Sequence, residues 1–179
     1  NFSILLFAIQ EILDLKNLGV KAIMLAGGGE PTIHPKIKEI IELILRNQLE
    51  VGMITNGAKI DLSWIDLLKD KNFKWIRVSL DAGENKTWKK IHRPLSGNNF
   101  KKIVSIVKNL KSNNQIKTKI GASFVINNLN RKKIISFTEI CKKNKFDDVR
   151  ISFTYQIKKE KLYKKNKERI TQLLNKAKR

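Results

Sequence analysis

The chain has 179 residues, a length that fits one domain, and 41% of them are hydrophobic, which is enough to build a substantial core. The 37 Lys and Arg residues outnumber the 16 Asp and Glu residues, so the formal net charge is +21 at pH 7. No apolar run approaches the length that spans a bilayer, which argues against a membrane partner, and the single cysteine, Cys141, excludes an internal disulfide and a multi-cysteine metal site within these residues.

The positive charge is scattered rather than concentrated in one segment. Lysines occur along the whole chain, and their density rises only between residues 158 and 179. A basic surface is the electrostatic signature of nucleic-acid binding, but an AT-rich coding bias would give the same abundance of Lys, Asn and Ile. We interpret most of these lysines as solvated surface residues, and nucleic-acid binding stays the less favoured interpretation.

Short apolar runs alternate with segments of helical periodicity, which is typical of βα units and a parallel sheet. In chain order, the predicted elements are a helix at 3–18, a strand at 21–26, a helix whose first turn holds Pro35, a strand at 50–55, a helix at 62–70, a strand at 74–80, helices at 84–91 and 99–112, a strand at 117–126, a helix at 130–144, a strand at 149–153 and a basic helix at 158–178. Asp61 is the predicted N-cap of the helix at 62–70, which we expect to pack through Leu62, Ile65 and Leu68.

Three successive predicted strands are polar on one face only. Their apolar faces are Ile76, Val78 and Leu80, then Ile120, Ala122, Phe124 and Ile126, then Val149, Ile151 and Phe153. Their polar faces are Arg77, Ser79 and Asp81, then Lys117, Lys119, Gly121, Ser123 and Asn127, then Asp148, Arg150, Ser152 and Thr154. Because buried polar groups without partners are costly, we expect helices over the apolar faces and a hydrated, ligand-filled hollow inside a curved, open sheet. Short edge strands with one face in water are the alternative.

The most distinctive motif is Ala-Gly-Gly-Gly-Glu-Pro-Thr at residues 26–32, directly after a predicted strand. It lacks the Lys-Ser/Thr of a phosphate-binding P-loop and the GxGxxG spacing of a dinucleotide site. Glycines let the backbone adopt positive φ and approach a ligand closely, and Glu30 adds a carboxylate beside the exposed carbonyls. Such a set of acceptors suits an ammonium group. A plain turn is the alternative interpretation.

At this motif the chain resembles the radical S-adenosylmethionine (SAM) superfamily, whose second strand ends in Gly-Gly-Glu-Pro, here residues 28–31. Met-Ile-Thr-Asn-Gly at 53–57 is similar to the ending of the family's third strand, and Arg-Val-Ser-Leu-Asp at 77–81 is similar to its fourth. The resemblance covers residues 1–155. It implies an α/β fold, a partial (βα)6 TIM-like open barrel of parallel strands whose first strand is missing here. Residues 156–179 would then form a basic helical C-terminal extension.

The resemblance also implies SAM and a [4Fe–4S] cluster as cofactors. In that chemistry one electron cleaves SAM to methionine and a 5′-deoxyadenosyl radical, which abstracts hydrogen from a substrate. Gly28, Gly29 and Glu30 would hold the SAM ammonium, and Lys119 and Arg150 would suit an anionic substrate or the SAM carboxylate, because their phase along the strands is inward. The residues expected near the SAM ribose are Ser79, Asn56, Asp81 and Ser123. No residue is assigned a catalytic role.

The family's cluster-binding CxxxCxxC loop is absent from these residues. That loop follows the family's first strand, so we expect the cluster ligands upstream of Asn1 and no metal ligands within this sequence. Cys141 shares a helical face with Ile134 and Phe137, and we interpret it as a core residue. The sequence is either part of a complete enzyme or a natural remnant without redox chemistry, and the intact downstream pattern favours the first.

From this resemblance we expect a cytoplasmic enzyme with a flavodoxin or ferredoxin as electron donor. Small molecules, sugars, peptides and RNA all stay open as substrates, because the shared motifs identify the cofactor and leave the reaction open. Hydrolytic chemistry has no support, since neither a Ser-His-Asp arrangement nor a paired-carboxylate pattern is present. The alternative from another class is a cluster-less barrel that binds an adenosyl ligand or RNA without catalysis.

Overall fold

The computed structural model describes residues 2–94 and 99–153 and, near the C-terminus, residues 168, 171–173, 175 and 176; side chains are described from Ile9 onward. The helices are α1 (Phe2–Asn17), α2 (Ile37–Arg46), α3 (Ile65–Lys69), α4 (Asn85–His92), α5 (Asn99–Lys111) and α6 (Ile134–Lys143). The strands are β1 (Ala22–Leu25), β2 (Glu50–Thr55), β3 (Phe73–Ser79), β4 (Lys119–Ile126) and β5 (Val149–Phe153). Short 3₁₀ helices at Pro31–Ile33 and Leu62–Trp64 precede α2 and α3.

The five strands form one parallel sheet in the order β1-β2-β3-β4-β5, so each strand pairs with the strand before it in the chain. Parallel neighbours need a crossover connection, and helices supply it here. This arrangement confirms the predicted α/β class with parallel strands. It also brings the carboxyl ends of all five strands, and the loops that follow β1 to β4, to one edge of the sheet.

The core lies between one face of the sheet and the helices. Ile76 and Val78 on β3 pair in register with Ile120 and Ala122 on β4, and none of the four is more than 2% exposed. The helices contribute apolar stripes at helical spacing, as predicted for α2 and α5. The buried residues of these stripes are Ile37, Ile41, Ile44 and Leu45 on α2 and Phe100, Ile103, Val104, Val107 and Leu110 on α5.

Residues 62–70 differ from the single helix that was predicted. Asp61 is the N-cap, as expected, but it caps a 3₁₀ turn by accepting a hydrogen bond from the Ser63 amide at 3.0 Å. A 3₁₀ helix has three residues per turn instead of 3.6, so the side chains rotate relative to the predicted register. Trp64 enters the core and is 2% exposed, whereas Leu62 is 51% exposed. The predicted packing of Leu62 is therefore wrong.

Two other helices begin later than the sequence pattern predicts. Pro35 lies in the turn before α2 rather than in its first turn, and the Ile37 amide donates to the His34 carbonyl at 3.1 Å. The helix predicted at 130–144 is observed as α6. Its expected first residue, Asn130, is instead fully buried in the preceding turn and donates from Nδ2 to the Val125 carbonyl at 2.9 Å.

The strand at the end of the sheet, β5, is less covered than predicted. Val149 is 40% and Phe153 38% exposed, while Ile151 is partly buried against the hydrophobic core. Among the described residues β5 has a neighbouring strand on one side only, which is consistent with its lower burial. Most of the predicted helix at 158–178 lies outside the described residues. The boundary between 1–155 and 156–179 stays a prediction.

Candidate functional site

The loops that follow β1 to β4 meet at the carboxyl edge of the sheet, which we call the rim (residues 27–30, 56–58, 80–84 and 127–130). Open α/β sheets characteristically bind ligands at this edge. Of the predicted cofactor-binding residues, Gly28, Gly29, Glu30, Asn56 and Asp81 lie in these loops. The structure thus brings together residues that are far apart in the sequence.

The glycines of the first rim loop are open on the side where a side chain would project. A Cβ placed on Gly27, Gly28 or Gly29 would meet no atom within 4 Å, and all three residues are exposed. None of them has a positive φ, in contrast to the sequence-based expectation. Within the described residues, neither packing nor a positive φ requires glycine at these three positions, and their backbone is open to close approach by another group.

Glu30 joins this loop to the end of β2. Its Oε1 accepts hydrogen bonds from the Thr32 amide at 3.1 Å, the Thr32 hydroxyl at 2.6 Å and the Thr55 hydroxyl at 2.5 Å. Its Oε2 accepts one, from the Asn56 amide at 2.5 Å. Glu30 is also the N-cap of the 3₁₀ helix at Pro31–Ile33. The carboxylate is therefore fixed at the rim by donors from two neighbouring loops.

The turn after β2 is stabilised by the side chain of Asn56. Asn56 Oδ1 accepts a hydrogen bond from the Ala58 amide at 2.8 Å, which is the pattern of an Asx turn. Gly57 has a φ of 77° and lies against Val78, where a Cβ would be 3.0 Å from the valine Cγ1. The turn thus requires glycine for conformation and for space, and it holds the Asn56 amide against Glu30.

Asp81 joins the ends of β3 and β4. Its Oδ1 accepts a hydrogen bond from the Val125 amide at 2.7 Å, and its carbonyl accepts one from Asn130 Nδ2 at 3.0 Å. His92 Nε2 lies 3.7 Å from Asp81 Oδ2 and 3.2 Å from the Leu80 carbonyl oxygen. Burial raises the pKa of the Asp81 carboxyl, opposed by the Val125 hydrogen bond and the nearby His92. The carboxylate thus has a clear structural role at the rim.

Ser79, Ser123 and Arg150 lie in one row across the inner face of the sheet, the face opposite the helices. The register pairs Ser79 with Ser123 and Ser123 with Arg150. Lys119 pairs with Trp75, nearer the amino ends of the strands. Since a strand rises about 3.3 Å per residue, Lys119 is displaced from Ser123 by roughly 13 Å along β4. The two predicted substrate residues, Lys119 and Arg150, therefore occupy different depths of this face.

An ion pair on the inner face was not predicted. Arg77 Nη1 donates to Asp148 Oδ1 at 2.6 Å, and the Arg77 side chain is 20% exposed. The pair crosses β4 at Gly121, where a Cβ would lie 2.6 Å from the same carboxylate oxygen. Glycine inside a strand often marks such a close approach. The glycine at position 121, on the predicted polar face of its strand, is therefore the sequence feature that could have indicated this contact.

A second glycine gives space to an aromatic ring on the same face. A Cβ on Gly52 would overlap the indole ring of Trp75, which therefore lies against the backbone of β2. The register places Gly52 beside Trp75 and Trp75 beside Lys119. The inner face thus carries an aromatic surface toward its amino end and serines and an arginine toward the rim.

Within the described residues, no group of three or more His, Cys, Asp or Glu side chains is arranged to hold a metal ion. Cys141 is 2% exposed, and burial raises the pKa of its thiol to about 12. A thiol with such a pKa stays protonated and is a poor metal ligand. These findings agree with the interpretation of Cys141 as a core residue.

In the described part of the chain, no helix combines the length and hydropathy needed to cross a membrane.

Residues 7–141 match the family model of the radical SAM superfamily. Two curated relatives are both named S-adenosylmethionine-dependent nucleotide dehydratase. The protein from Psychrobacter lutiphocae is 30% identical over 112 residues, which cover 61% of this chain and 37% of that protein. The protein from a Thermoplasmatales archaeon is 25% identical over 152 residues, which cover 79% of this chain and 54% of that protein. The chain thus spans about half or less of the length of these relatives.

Solved structures share the fold. Streptococcus suis SuiB bound to S-adenosylmethionine superposes with a TM-score of 0.64 at 20% identity, over 92% of this chain and 38% of that protein. An archaeal TYW1 superposes with a TM-score of 0.55 at 16% identity, over 83% of this chain and 53% of that protein. The five parallel strands and their helices therefore form the partial TIM-like barrel that the sequence predicts.

Proposed function

The chain belongs to the radical SAM superfamily, and from this membership we propose that it forms the SAM-binding core of a radical enzyme. The observation that carries the proposal is the open glycine loop beside the fixed carboxylate of Glu30. An ammonium group has three donors and no acceptor. The exposed backbone of Gly28 and Gly29 together with Glu30 offers acceptors of the kind that the SAM ammonium needs.

The remainder of SAM would extend along the rim. Ser79 and Ser123 are neighbours on adjacent strands, and both are partly exposed toward the inner face. Their hydroxyls can donate to and accept from the hydroxyls of a ribose. We propose that Asn56 and Asp81 flank this pair from the neighbouring loops, with Asp81 acting also through the contacts that hold β3 and β4 together.

The described residues contain no group of His, Cys, Asp or Glu side chains that could hold a metal ion, so the [4Fe–4S] cluster would be bound by residues other than these. When bound, the cluster would supply the electron for reductive cleavage of SAM, and SAM would supply the 5′-deoxyadenosyl group that takes a hydrogen atom from the substrate. The residues of this chain would bind and orient SAM and keep bulk water out of the barrel. A reduced flavodoxin or ferredoxin in the cytoplasm is the proposed electron donor.

The inner face favours an anionic substrate. The charged residues of this face on β3, β4 and β5 are Arg77, Lys119 and Arg150, all cationic. Asp148 pairs with Arg77, while the exposed Lys119 and Arg150 have no ion-pair partner among the described residues. Both curated relatives are named nucleotide dehydratases. We therefore propose a nucleotide as substrate, its phosphates held by Lys119 and Arg150.

The test is reductive cleavage of SAM by the complete protein, purified without oxygen, supplied with iron, sulfide and dithionite, and assayed for 5′-deoxyadenosine. We expect product from the wild type and at least a tenfold loss with Glu30→Ala, since a hydrogen bond to a charged group is worth about 1.5–3 kcal/mol. Glu42→Ala is the matched control, because Glu42 forms an exposed ion pair with Arg46 on α2. Lys119→Met and Arg150→Met should raise KM for nucleoside triphosphates and leave SAM affinity unchanged.

The outcomes separate the proposal from its alternatives. Failure of the wild type to bind SAM would refute the proposed function. SAM binding without 5′-deoxyadenosine formation would favour a cluster-less module that binds an adenosyl ligand. An unchanged KM for nucleotides in both substrate-site variants would remove the nucleotide assignment and leave the SAM site in place. Salt-dependent binding of RNA by wild type would favour the nucleic-acid alternative.

A further inference from the structure

Two buried threonines hold the carboxylate of Glu30, and we call them the threonine clamp (Thr32 and Thr55). Thr32 is 8% and Thr55 2% exposed. Their hydroxyls lie 2.6 Å and 2.5 Å from Glu30 Oε1, and the Thr32 amide donates to the same oxygen. Thr55 ends β2 and lies 25 residues from Glu30 in the sequence. The clamp therefore depends on the pairing of β1 with β2.

The direction of the Thr55 hydroxyl is determined by a second contact. Thr55 Oγ1 accepts a hydrogen bond from the Gly57 amide at 3.0 Å. A hydroxyl has one hydrogen to donate, and Glu30 Oε1 is the acceptor within reach. The Gly57 amide, the Thr55 hydroxyl and the Glu30 carboxylate thus form a chain of hydrogen bonds in which the carboxylate is the final acceptor.

The two oxygens of the Glu30 carboxylate accept different numbers of hydrogen bonds. Oε1 accepts three hydrogen bonds, which occupies its two lone pairs, whereas Oε2 accepts one, from the Asn56 amide. Oε2 therefore keeps one acceptor position. Every donor on the carboxylate is a neutral hydroxyl or amide, so none of them cancels its negative charge. The carboxylate is held in place but still carries the charge that a cation would need.

We propose that the threonine clamp positions Glu30 so that Oε2 accepts a hydrogen bond from the SAM ammonium. This inference rests on the proposed SAM site and adds Thr32 and Thr55 as positioning residues. A glutamate side chain that is already fixed does not lose conformational entropy when the ligand binds. The clamp thus increases affinity for the ammonium without touching SAM itself.

The experiment measures equilibrium binding of two probes by the complete protein, using calorimetry. One probe is SAM, and the other is 5′-methylthioadenosine, which has the adenosyl group and the sulfur but lacks the ammonium and the carboxylate. Thr55→Val keeps the side-chain volume and removes the hydroxyl. We expect it to weaken SAM binding about tenfold and to leave 5′-methylthioadenosine binding within about twofold, with recovery in Thr55→Ser. Thr32→Val should have a smaller effect, since its backbone amide still donates.

Thr118→Val is the matched control. Thr118 is fully buried, and its hydroxyl donates to the Leu68 carbonyl at 3.0 Å, but it precedes β4 at the opposite edge of the sheet. It should lower thermal stability without changing affinity for either probe. Equal weakening of both probes by Thr55→Val, or SAM affinity equal to wild type in both Thr55→Val and Thr32→Val, would overturn the inference. Binding of neither probe by the wild type would instead overturn the proposed function.

Discussion

Gly83, in the rim loop after β3, contacts α6 so closely that the structure has no space for a methyl group. A Cβ on this residue would overlap the backbone of Ser136 and Phe137 in α6. The helix cannot easily move away, because Phe137 is fully buried and its ring centroid lies 4.8 Å from that of Phe124. We therefore expect Gly83→Ala to displace α6 or distort the rim loop.

The expected loss in the free energy of unfolding follows from the displacement that Gly83→Ala requires. Restoring an ordinary carbon–carbon distance means a shift of roughly 1 Å, and overpacking of a well-packed core costs about 1–3 kcal/mol or more. Because the overlap involves backbone atoms, we expect a loss of about 3 kcal/mol. At about 2–4 °C per kcal/mol for a chain of this size, the melting temperature would fall by roughly 6–12 °C.

The assay is urea and thermal unfolding of Gly83→Ala beside a matched glycine variant. Gly28→Ala serves as the comparison, since a Cβ there meets no atom within 4 Å and its φ is not positive. Replacing a glycine under those conditions stabilises a protein by about 0.4–1 kcal/mol through the unfolded state. A free energy of unfolding for Gly83→Ala within about 0.5 kcal/mol of the wild type would refute the steric argument.

Three other expectations concern titratable groups. Cys141, whose thiol pKa is raised to about 12 by burial, should not react with Ellman's reagent in the native protein at pH 8 and should react fully in urea; rapid native labelling would contradict its core position. Burial raises the pKa of Asp81 above its unfolded value of 3.8, because it disfavours the charged form in the folded state. The contribution of this residue to the free energy of unfolding therefore falls as pH rises from 3.8 through the raised pKa. Asparagine suits the φ of 54° at this residue. Asp81→Asn should therefore flatten this pH dependence and be at least as stable as the wild type at pH 7. A decrease of more than about 1 kcal/mol in its free energy of unfolding would contradict the reasoning. The Arg77–Asp148 pair is partly exposed, so a double-mutant cycle with Arg77→Met and Asp148→Asn should give a coupling of about 1 kcal/mol that decreases with salt; no coupling would show that solvent screens the pair completely.

The hydrogen bonds and ion pairs at the rim connect the stability of the fold with the candidate ligand site. Asp81 and Asn130 join the ends of β3 and β4, His92 on α4 contacts the loop after β3, and Glu30 joins the loops after β1 and β2. Each of these contacts is made by a side chain at the carboxyl edge of the sheet. Substitutions there combine effects on stability with effects on ligand affinity, and both must be measured to separate them.

The sequence by itself was enough to predict the elements whose pattern is local. The strands β2 and β5 have the predicted bounds, and the stripe from Phe100 to Leu110 on α5 is buried as expected. These features depend on the alternation of side chains along a strand and on the spacing of apolar residues along a helix. The glycine-rich motif at residues 26–32 also predicted the family, which the match over residues 7–141 confirms.

Only the tertiary structure decided which side chains meet. Glu30 and Thr55 are 25 residues apart in the sequence, and Arg77 and Asp148 are 71 residues apart. No periodic pattern links such residues, because their contact depends on strand register and on the space that Gly121 leaves between them. The exposure of Leu62 was likewise decided in the folded chain, where residues 62–64 form a 3₁₀ turn that buries Trp64, and apolar spacing alone does not distinguish such a turn from an α-helical one.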